Sequence, residues 1–316
     1  MYKIISGTSH PQLAKAVAKQ LKKELTKTEI YRFSCGEVYV RLLDSVRNQD
    51  VFIIQTATSD VNEDYMELFV LLDAVKRSIA HKITVILPHF GYARQDREAL
   101  PREPISAKLF ANLIVKAGAD HVIMMHVHSD QIQGFFDVTT DNLSTKRLFV
   151  DYFNKKKLNM KNVVVVSPDA GGAKMATRFA NSLGAKLAII HKTRAASNKK
   201  QTSTVSHVVG DVKGKTTIIY DDLIDTAGSV CKAKEALIKN GADPKNVYLV
   251  SSHPVFSGHS IRNLKQAAFK EVVVTDTIPV PKEKNFKGLK VLSVAPLLAH
   301  VIENITSKKS VSELHS

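Results

Sequence analysis

The chain has 316 residues, of which 44% are hydrophobic and 24% are charged, a balance typical of folded globular proteins. That composition excludes global disorder. The two cysteines, Cys35 and Cys231, exclude a disulfide framework and a four-thiolate metal site. The chain has 45 lysine and arginine residues and 30 aspartate and glutamate residues, which gives a net charge of +15. Such a surplus indicates nucleic acid, an anionic membrane, phosphorylated small molecules, or only a solvated basic surface.

We expect neither a membrane partner nor a nucleic-acid partner. No apolar run reaches the roughly 20 residues that cross a bilayer, and Met1 to Ser9 lack a cleavable signal pattern. The chain has no tryptophan, its basic residues are dispersed, and it has no nucleic-acid recognition motif. These features favour a cytoplasmic location in a reducing compartment.

Short β-branched runs alternate with longer amphipathic segments along the chain. The predicted strands are Tyr2–Ser6, Val51–Gln55, Ile83–Leu87, His121–Met125, Val163–Ser167, Leu187–Ile190, Thr216–Tyr220, Val247–Val250 and Val272–Val274. The predicted helices are Pro11–Glu24, Tyr65–Ile79, Ile105–Ala117, Ala173–Leu183 and Gly228–Asn240. Continuous apolar strands are typical of parallel sheets buried on both faces. The pattern predicts an α/β protein with ligand sites at the carboxyl ends of its strands.

A polar and charged stretch, Asp141–Asn162, separates two sets of predicted strands. We therefore place a domain boundary near residue 145, with an N-terminal domain at 1–145 and a C-terminal domain at 146–299. The halves are similar in length and pattern, which agrees with a duplicated fold, although no clear sequence repeat supports one. The tail, about 300–316, is expected to join the N-terminal domain.

The strongest chemical signal follows the predicted strand Thr216–Tyr220. The sequence there runs from Asp221 to Ser229 and reads Asp-Asp-Leu-Ile-Asp-Thr-Ala-Gly-Ser. Adjacent carboxylates at a strand end accept hydrogen bonds from vicinal sugar hydroxyls or bind a divalent metal. Hydroxyls, a glycine and free amides at a helix N-terminus suit a phosphate. The combination indicates a sugar phosphate, and the alternative is a helix cap preceded by solvated acids.

Two more loops of the C-terminal half carry candidate chemistry. Ser167–Ala173 forms a predicted tight turn with Asp169 at its apex, where a glycine pair lets backbone amides approach a ligand. Lys192 and Arg194 share a face of extended backbone, and the polar, basic segment after them, residues 195–206, is predicted to be a mobile loop. Two cations there would close over a polyphosphate, unless the loop is only a solvated basic surface.

Two loops of the N-terminal half carry the remaining signals. Arg94 and Gln95 follow the strand Ile83–Leu87 and offer donors for a phosphate or a purine edge, although a plain surface turn has the same pattern. His126 and His128 come after Met125, and at this spacing they would share a strand face, as metal ligands often do. A histidine pair is more often structural, and only His128 is predicted to bind a metal.

These loops resemble the ribose-phosphate diphosphokinase family, also called phosphoribosyl-diphosphate synthetases. The Asp221–Ser229 run is similar to the phosphoribosyl-diphosphate motif of the phosphoribosyltransferase superfamily. The segments that separate the synthases from simple transferases are Tyr92–Asp96, Pro104–Lys108, Gln131–Asp137 and Ser167–Ala173. The resemblance covers essentially the whole chain. It implies two phosphoribosyltransferase-like domains, each a mostly parallel sheet flanked by helices, with the active site between them.

The resemblance also implies a reaction and a set of roles. The family transfers the β,γ-diphosphoryl group of ATP to the 1-hydroxyl of ribose 5-phosphate, giving AMP and phosphoribosyl diphosphate. Lys192 and Arg194 are then catalytic, and His128 and Asp169 bind Mg²⁺. The ATP contacts are Phe33, Cys35, Gly36, Glu37, Arg94 and Gln95. The ribose 5-phosphate contacts are Asp221, Asp222, Asp225, Thr226, Ala227, Gly228 and Ser229.

The same resemblance implies regulation and assembly. Class I members need inorganic phosphate as an activator and are inhibited by ADP at a subunit interface. The positions that match residues near that regulatory site are Arg47, Arg102, Ser106, Ser310 and Ser312. The adenine loop comes from a neighbouring subunit in this family, so we expect a homo-oligomer, a hexamer by resemblance. The alternative to an active synthase is a catalytically silent regulatory subunit of the same fold, whose catalytic loops are typically altered.

Two positions depart from the family pattern. Cys35 stands where the family has aspartate or asparagine, and a thiol is a poor hydrogen-bond acceptor. His126 stands where the family has aspartate, whereas Mg²⁺ prefers oxygen ligands. These departures predict altered nucleotide affinity and a weaker preference for Mg²⁺ over other divalent ions.

Overall fold

A computed structural model describes residues 1–194 and 204–312. The Cα positions divide into two compact units. Unit 1 comprises Met1–Ser144, Asp276–Pro279 and the chain from Ser293 onward, and unit 2 comprises Thr145–Thr275 and Val280–Leu292. Within the described ranges, no helix is both long enough and apolar enough to cross a membrane.

The elements alternate along the chain as the sequence predicts. The strands are β1 Tyr2–Ser6, β2 Thr28–Arg32, β3 Val38–Leu42, β4 Asp50–Ile54, β5 Lys82–Leu87, β6 His121–Met125, β7 Thr139–Leu143, β8 Val163–Ser167, β9 Lys186–Arg194, β10 Thr204–Val209, β11 Thr216–Ile224, β12 Val247–Pro254, β13 Glu271–Thr275 and β14 Leu289–Leu292. The helices are α1 Pro11–Gln20, α2 Val61–Arg77, α3 Ser106–Ala117, α4 Lys146–Lys155, α5 Ala173–Leu183, α6 Gly228–Lys239, α7 Ser260–Ala267 and α8 Ala295–Thr306.

Unit 1 contains a parallel sheet in the order β1-β4-β5-β6-β7 and a separate antiparallel hairpin of β2 and β3. One face of strands β4 to β6 is buried because α2 and α3 cover it with apolar side chains, including Leu68, Leu72 and Ile114. The C-terminal helix α8 packs beside α1 in the same unit.

Unit 2 contains a sheet in the order β10-β9-β8-β11-β12-β13-β14, in which only the edge strand β10 among the described strands runs antiparallel. Alternate residues of β8 enter different cores. Val164 and Val166 pack with α6, whereas Val163 and Val165 pack with aromatic side chains of α4 and α5. Helices on both faces explain why the strands read as continuous apolar runs.

The predicted α/β class with two mainly parallel sheets is confirmed. The polar stretch Asp141–Asn162, where we placed the domain boundary, contains the end of β7 and the whole of α4. Helix α4 has only one apolar face, and Phe149 and Phe153 on that face are fully buried. The predicted loop 195–206 is also too long, since 204–206 belong to β10, and 195–203 lie outside the described residues.

Candidate active site

The acidic pair lies in the last part of β11, and the phosphate-type turn lies between β11 and α6. Strand β11 extends to Ile224, four residues beyond the predicted end, so that Asp221 and Asp222 lie within the strand. Burial raises the pKa of Asp221, and the carboxylates of Asp222 and Asp169 raise it further. Folding therefore brings Asp169 of the β8–α5 loop into the electrostatic neighbourhood of Asp221 and Asp222 on β11.

The turn itself is built around a left-handed residue. Ala227 has φ 64° and ψ 1°, and helix α6 begins at the next residue, Gly228. A left-handed residue beside a helix N-terminus turns successive N–H groups toward a common point, which is an arrangement that binds anions. Thr226 and Ser229 are exposed beside this turn. The phosphate cradle that the sequence predicts at this turn stays a prediction, which the left-handed turn makes possible.

The β8–α5 loop lies at the same carboxyl edge of the sheet in unit 2. The Asp169 carboxylate accepts a hydrogen bond from the Gly172 N–H at 3.0 Å, and the Ser167 hydroxyl donates to the Asp169 carbonyl at 2.7 Å. A Cβ atom at Gly172 would lie 2.9 Å from the Ser167 hydroxyl oxygen. A side chain at that position would displace the Ser167 hydroxyl, and the turn leaves Asp169 exposed at its apex.

The predicted catalytic cations lie on β9. This strand pairs with β10, and the register places Lys192 opposite Ser206 and Arg194 opposite Thr204. The shared face of Lys192 and Arg194 stays a prediction, because the structure describes only the backbone at these two positions. The segment that was expected to close over a polyphosphate, 195–203, lies outside the described residues.

In unit 1, the Arg94–Gln95 turn connects β5 with α3. The Ser106 hydroxyl donates to the Gln95 side-chain oxygen at 2.7 Å, and the Ala107 N–H donates to the Gln95 carbonyl at 3.1 Å. Gln95 therefore satisfies donors at the N-terminus of α3. Arg94 is exposed. Of the predicted pair, only Gln95 has a described role in the turn, where its side-chain oxygen and its carbonyl accept hydrogen bonds from Ser106 and Ala107.

The predicted adenine loop is the tip of the β2–β3 hairpin. The Phe33 N–H donates to the Glu37 carbonyl at 2.9 Å, and Gly36 has φ 94°, a conformation that favours glycine. The Phe33 ring is 45% exposed and contacts the rings of Tyr31 and Tyr39, with centroids 5.5 and 5.8 Å away. Neither tyrosine was predicted from the sequence. Tyr31 is two residues before Phe33, a spacing that predicts one shared face of an extended strand, and Tyr39 lies opposite Tyr31 on the paired strand.

The two histidines do not share a strand face, which corrects the sequence prediction. Strand β6 ends at Met125, and His126 adopts φ 46° while its N–H donates to the Leu143 carbonyl at 2.9 Å. The backbone turns at His126, so the spacing rule of a strand does not apply to His128. His128 is exposed in the loop that follows.

Among the described residues, no group of three or more His, Cys, Asp or Glu side chains is arranged to hold a metal ion. The predicted ligand His128 belongs to unit 1, and the predicted ligand Asp169 belongs to unit 2. Within unit 2, Asp169 shares its surroundings with Asp221 and Asp222.

The predicted regulatory residues all belong to unit 1. Arg47 and Arg102 are exposed, and the Arg102 N–H bonds to the Glu98 carboxylate. The Ser312 N–H donates to the Ser310 hydroxyl oxygen at 3.1 Å, so these two serines form a compact turn after α8. Ser106 is engaged by Gln95 as described above.

Two comparisons place the chain among known proteins. Residues 2–118 match the N-terminal domain of ribose phosphate pyrophosphokinase, and residues 195–316 match the phosphoribosyl synthetase-associated domain. The ribose-phosphate pyrophosphokinase of Fusobacterium nucleatum subsp. nucleatum is 46% identical over 99% of this chain and 97% of its own. That of Bacillus subtilis (strain 168) is 45% identical over the same shares.

A solved structure shows the same architecture. The phosphoribosylpyrophosphate synthetase of Mycobacterium smegmatis matches with a TM-score of 0.91 at 41% identity, covering 97% of this chain and 99% of that one. The fold and the loops thus define a two-domain α/β enzyme of the phosphoribosyl-diphosphate synthetase type. The chain belongs to the ribose-phosphate pyrophosphokinase family, whose enzymes make phosphoribosyl diphosphate for nucleotide biosynthesis.

Proposed function

We propose that the protein transfers the β,γ-diphosphoryl group of ATP to the 1-hydroxyl of ribose 5-phosphate, and that unit 2 binds the sugar while unit 1 binds ATP. The observation that carries this assignment is the β11–α6 loop, where Asp221 and Asp222 precede the left-handed turn at Ala227. Carboxylates and an anion-binding turn a few residues apart match the two ends of a sugar phosphate.

In this proposal the Asp221 and Asp222 carboxylates accept hydrogen bonds from the ribose hydroxyls. The backbone amides of Asp225–Ser229, with the Thr226 and Ser229 hydroxyls, bind the 5-phosphate. Two fixed points orient the sugar, which lowers the entropic cost of bringing its 1-hydroxyl to the β-phosphorus of ATP.

On the ATP side, Arg94 binds phosphate oxygens, and Gln95 contributes any donor that the turn leaves available. The exposed Phe33 ring stacks on adenine, and the Cys35–Glu37 tip of the hairpin contacts the base edge. Tyr31 and Tyr39 support the Phe33 ring from the same face of the hairpin. Stacking on an ordered ring loses less conformational entropy than stacking on a free one.

Transfer forms a bond between the 1-hydroxyl oxygen and the β-phosphorus. The bond from the β-phosphorus to the oxygen shared with the α-phosphorus breaks, AMP leaves with that oxygen, and the hydroxyl proton is lost. Lys192 and Arg194 neutralise the negative charge that spreads over the phosphate oxygens, which is the main contribution a protein makes to such a step.

The acidic residues of unit 2 suit Mg²⁺ by their chemistry. Asp169, Asp221 and Asp222 supply oxygen ligands, and the raised pKa of Asp221 reflects burial and unneutralised negative charge that a cation would offset. Mg²⁺ usually binds one or two carboxylates together with substrate phosphates and water, which agrees with the absence of a complete metal cluster among the described side chains. When bound, the ion supplies charge neutralisation. His128 is proposed as a ligand near the ATP phosphates.

Regulation and assembly complete the proposal. Inorganic phosphate activates the enzyme through Arg47, Arg102, Ser106, Ser310 and Ser312. The protein acts in the cytoplasm as a homo-oligomer, a hexamer like other family members, because the Phe33 hairpin then serves a neighbouring subunit.

The test is an AMP-release assay with ATP, ribose 5-phosphate and Mg²⁺, with and without inorganic phosphate. Lys192→Ala is expected to lower kcat by about a hundredfold or more, as loss of transition-state charge stabilisation does. Lys186→Ala is the matched control, because Lys186 is an exposed lysine at the start of the same strand. It should keep wild-type kcat.

The alternative of a silent regulatory subunit makes the opposite prediction. Wild-type protein that releases no AMP with any divalent ion, with or without phosphate, would overturn the proposal. Equal effects of Lys192→Ala and Lys186→Ala would overturn only the catalytic role of Lys192.

A further inference from the structure

One segment of unit 2 binds the carbonyl side of the β11–α6 loop. The carbonyl oxygens of residues 224–226 accept three consecutive hydrogen bonds from it. The Phe256 and Ser257 N–H groups donate to the first two at 2.9 and 3.2 Å, and the Asn263 side-chain amide donates to the third at 3.0 Å. These contacts orient three successive peptide groups of the loop.

Ser257 makes a second contact to the same loop. Its hydroxyl donates to the Asp225 carboxylate, while its N–H donates to the Asp225 carbonyl. A hydrogen bond to a carboxylate is roughly twice as strong as one between neutral groups. Ser257 is half-buried, so competition from water is reduced. Asp225 is therefore held by both its backbone and its side chain.

This clamp has an electrostatic consequence for anion binding. A phosphate dianion is repelled by carbonyl oxygens and by a carboxylate, and it is attracted by N–H groups and hydroxyls. Because the acceptors of residues 224–226 are bonded to the 256–263 segment, they are directed to that side of the loop. The turn at Ala227 then presents N–H groups rather than these carbonyl oxygens to a ligand.

We propose that Ser257 is a positioning residue for the ribose 5-phosphate loop. Its hydroxyl and N–H fix Asp225 so that the turn presents its amides and the Thr226 and Ser229 hydroxyls to the 5-phosphate. The inference rests on the proposed assignment of Asp225–Ser229 to that phosphate. Ser257 reaches the loop because β11 and β12 are neighbours in the sheet, with Ile224 opposite Pro254.

The experiment compares the KM values for both substrates in full-length variants that are checked by thermal unfolding. Ser257→Ala should raise KM for ribose 5-phosphate about tenfold, the expected effect of losing a hydrogen bond to a charged group, and should leave KM for ATP within about twofold. Ser257→Thr keeps the hydroxyl and should stay near wild type. In a double-mutant cycle with Asp225→Asn, the effects should be clearly less than additive.

The Ser229→Ala variant distinguishes failure of the phosphate-loop assignment from failure of the proposed positioning role of Ser257. If Ser229→Ala raises KM for ribose 5-phosphate and Ser257→Ala does not, the clamp is overturned and the phosphate loop stands. If neither variant changes this KM, the loop assignment and the clamp both fail. Equal increases in both KM values for Ser257→Ala indicate a general structural role and also overturn the inference. Should Ser257→Ala not fold, Asn263→Ala removes another bond of the clamp and must raise KM for ribose 5-phosphate selectively.

Discussion

Asp169 in the β8–α5 loop and Asp221 in strand β11 are more than 50 positions apart in the sequence, yet the Asp169 carboxylate contributes to the raised pKa of Asp221. Burial is the largest cause of the raised pKa of Asp221, the neighbouring Asp222 carboxylate adds to it, and Asp169 raises it further. The folded protein thus keeps acidic groups together at a cost in stability. Such perturbed groups are typical of functional sites.

Asp221→Asn should stabilise the folded protein at neutral pH while it weakens ribose 5-phosphate binding. A carboxyl with a higher pKa in the folded chain binds its proton more tightly there. Stability therefore falls as pH rises from about 4, the ordinary aspartate range, through the raised folded pKa. The variant lacks this penalty, so its advantage in thermal unfolding should be present near pH 7 and shrink toward pH 4.

Asp243→Asn is the control variant, because the pKa of Asp243 is shifted in the opposite direction from that of Asp221. Hydrogen bonds from Asn246 and the Lys245 N–H lower the pKa of Asp243, so this carboxylate stabilises the fold above the unfolded pKa and the effect is lost as pH falls. Asp243→Asn should not be stabilising near pH 7. Added Mg²⁺ should raise the melting temperature of the wild type more than that of Asp221→Asn. An Asp221→Asn variant that is less stable at every pH contradicts the prediction.

Gly91→Ala should destabilise unit 1 by about 1–3 kcal/mol, the usual cost of overpacking a core. The added Cβ would lie 2.6 Å from Val61 Cγ2 and 2.9 Å from Ala57 Cβ. Since Gly91 precedes the Arg94 turn, KM for ATP should also rise. Urea unfolding measures the first effect. Gly134→Ala is the matched control, because its Cβ meets no described heavy atom within 4 Å, and equal losses for both variants would contradict the packing argument.

His126→Asp should lower the Mg²⁺ concentration that gives half-maximal activity, since a carboxylate suits Mg²⁺ better than imidazole does. Aspartate also tolerates the left-handed backbone found at His126. The wild type should accept Mn²⁺ or Co²⁺ relatively well. Activity titrations with each ion test this. His300→Asp, an exposed position on α8, should change nothing, and an unchanged Mg²⁺ response of His126→Asp removes the hypothesis.

Cys35→Asn should lower KM for ATP several-fold, because an amide accepts hydrogen bonds that a thiol accepts poorly. Cys35 is exposed at the hairpin tip beside Phe33. The comparison variant is Cys231→Ala, since burial raises the pKa of that thiol to about 11 and it lies on α6. Steady-state kinetics with ATP and with GTP would show the effect; equal KM values for wild type and Cys35→Asn would refute it.

Several parts of the fold escaped sequence analysis for a common reason. The burial of the β2–β3 hairpin and of α8 depends on partners that are distant in the chain, which are α2 for the hairpin and α1 for α8. The turn that follows strand β6 also depends on a residue that is distant in the chain, so the sequence pattern did not predict it. The Leu143 carbonyl accepts from the His126 N–H, and this long-range bond accompanies the turn that takes both histidines off the strand.

The sequence by itself determined the order of buried strands and the chemistry of the loops that follow them. Apolar runs specify strands locally, and the motifs at Ser167–Ala173 and Asp221–Ser229 contain their own turn residues and charges. Only the tertiary structure decided which loops meet. Strand order brings Asp169 to Asp221 and Ser257 to Asp225, because sheet neighbours are chosen by packing across the whole unit rather than by any local pattern.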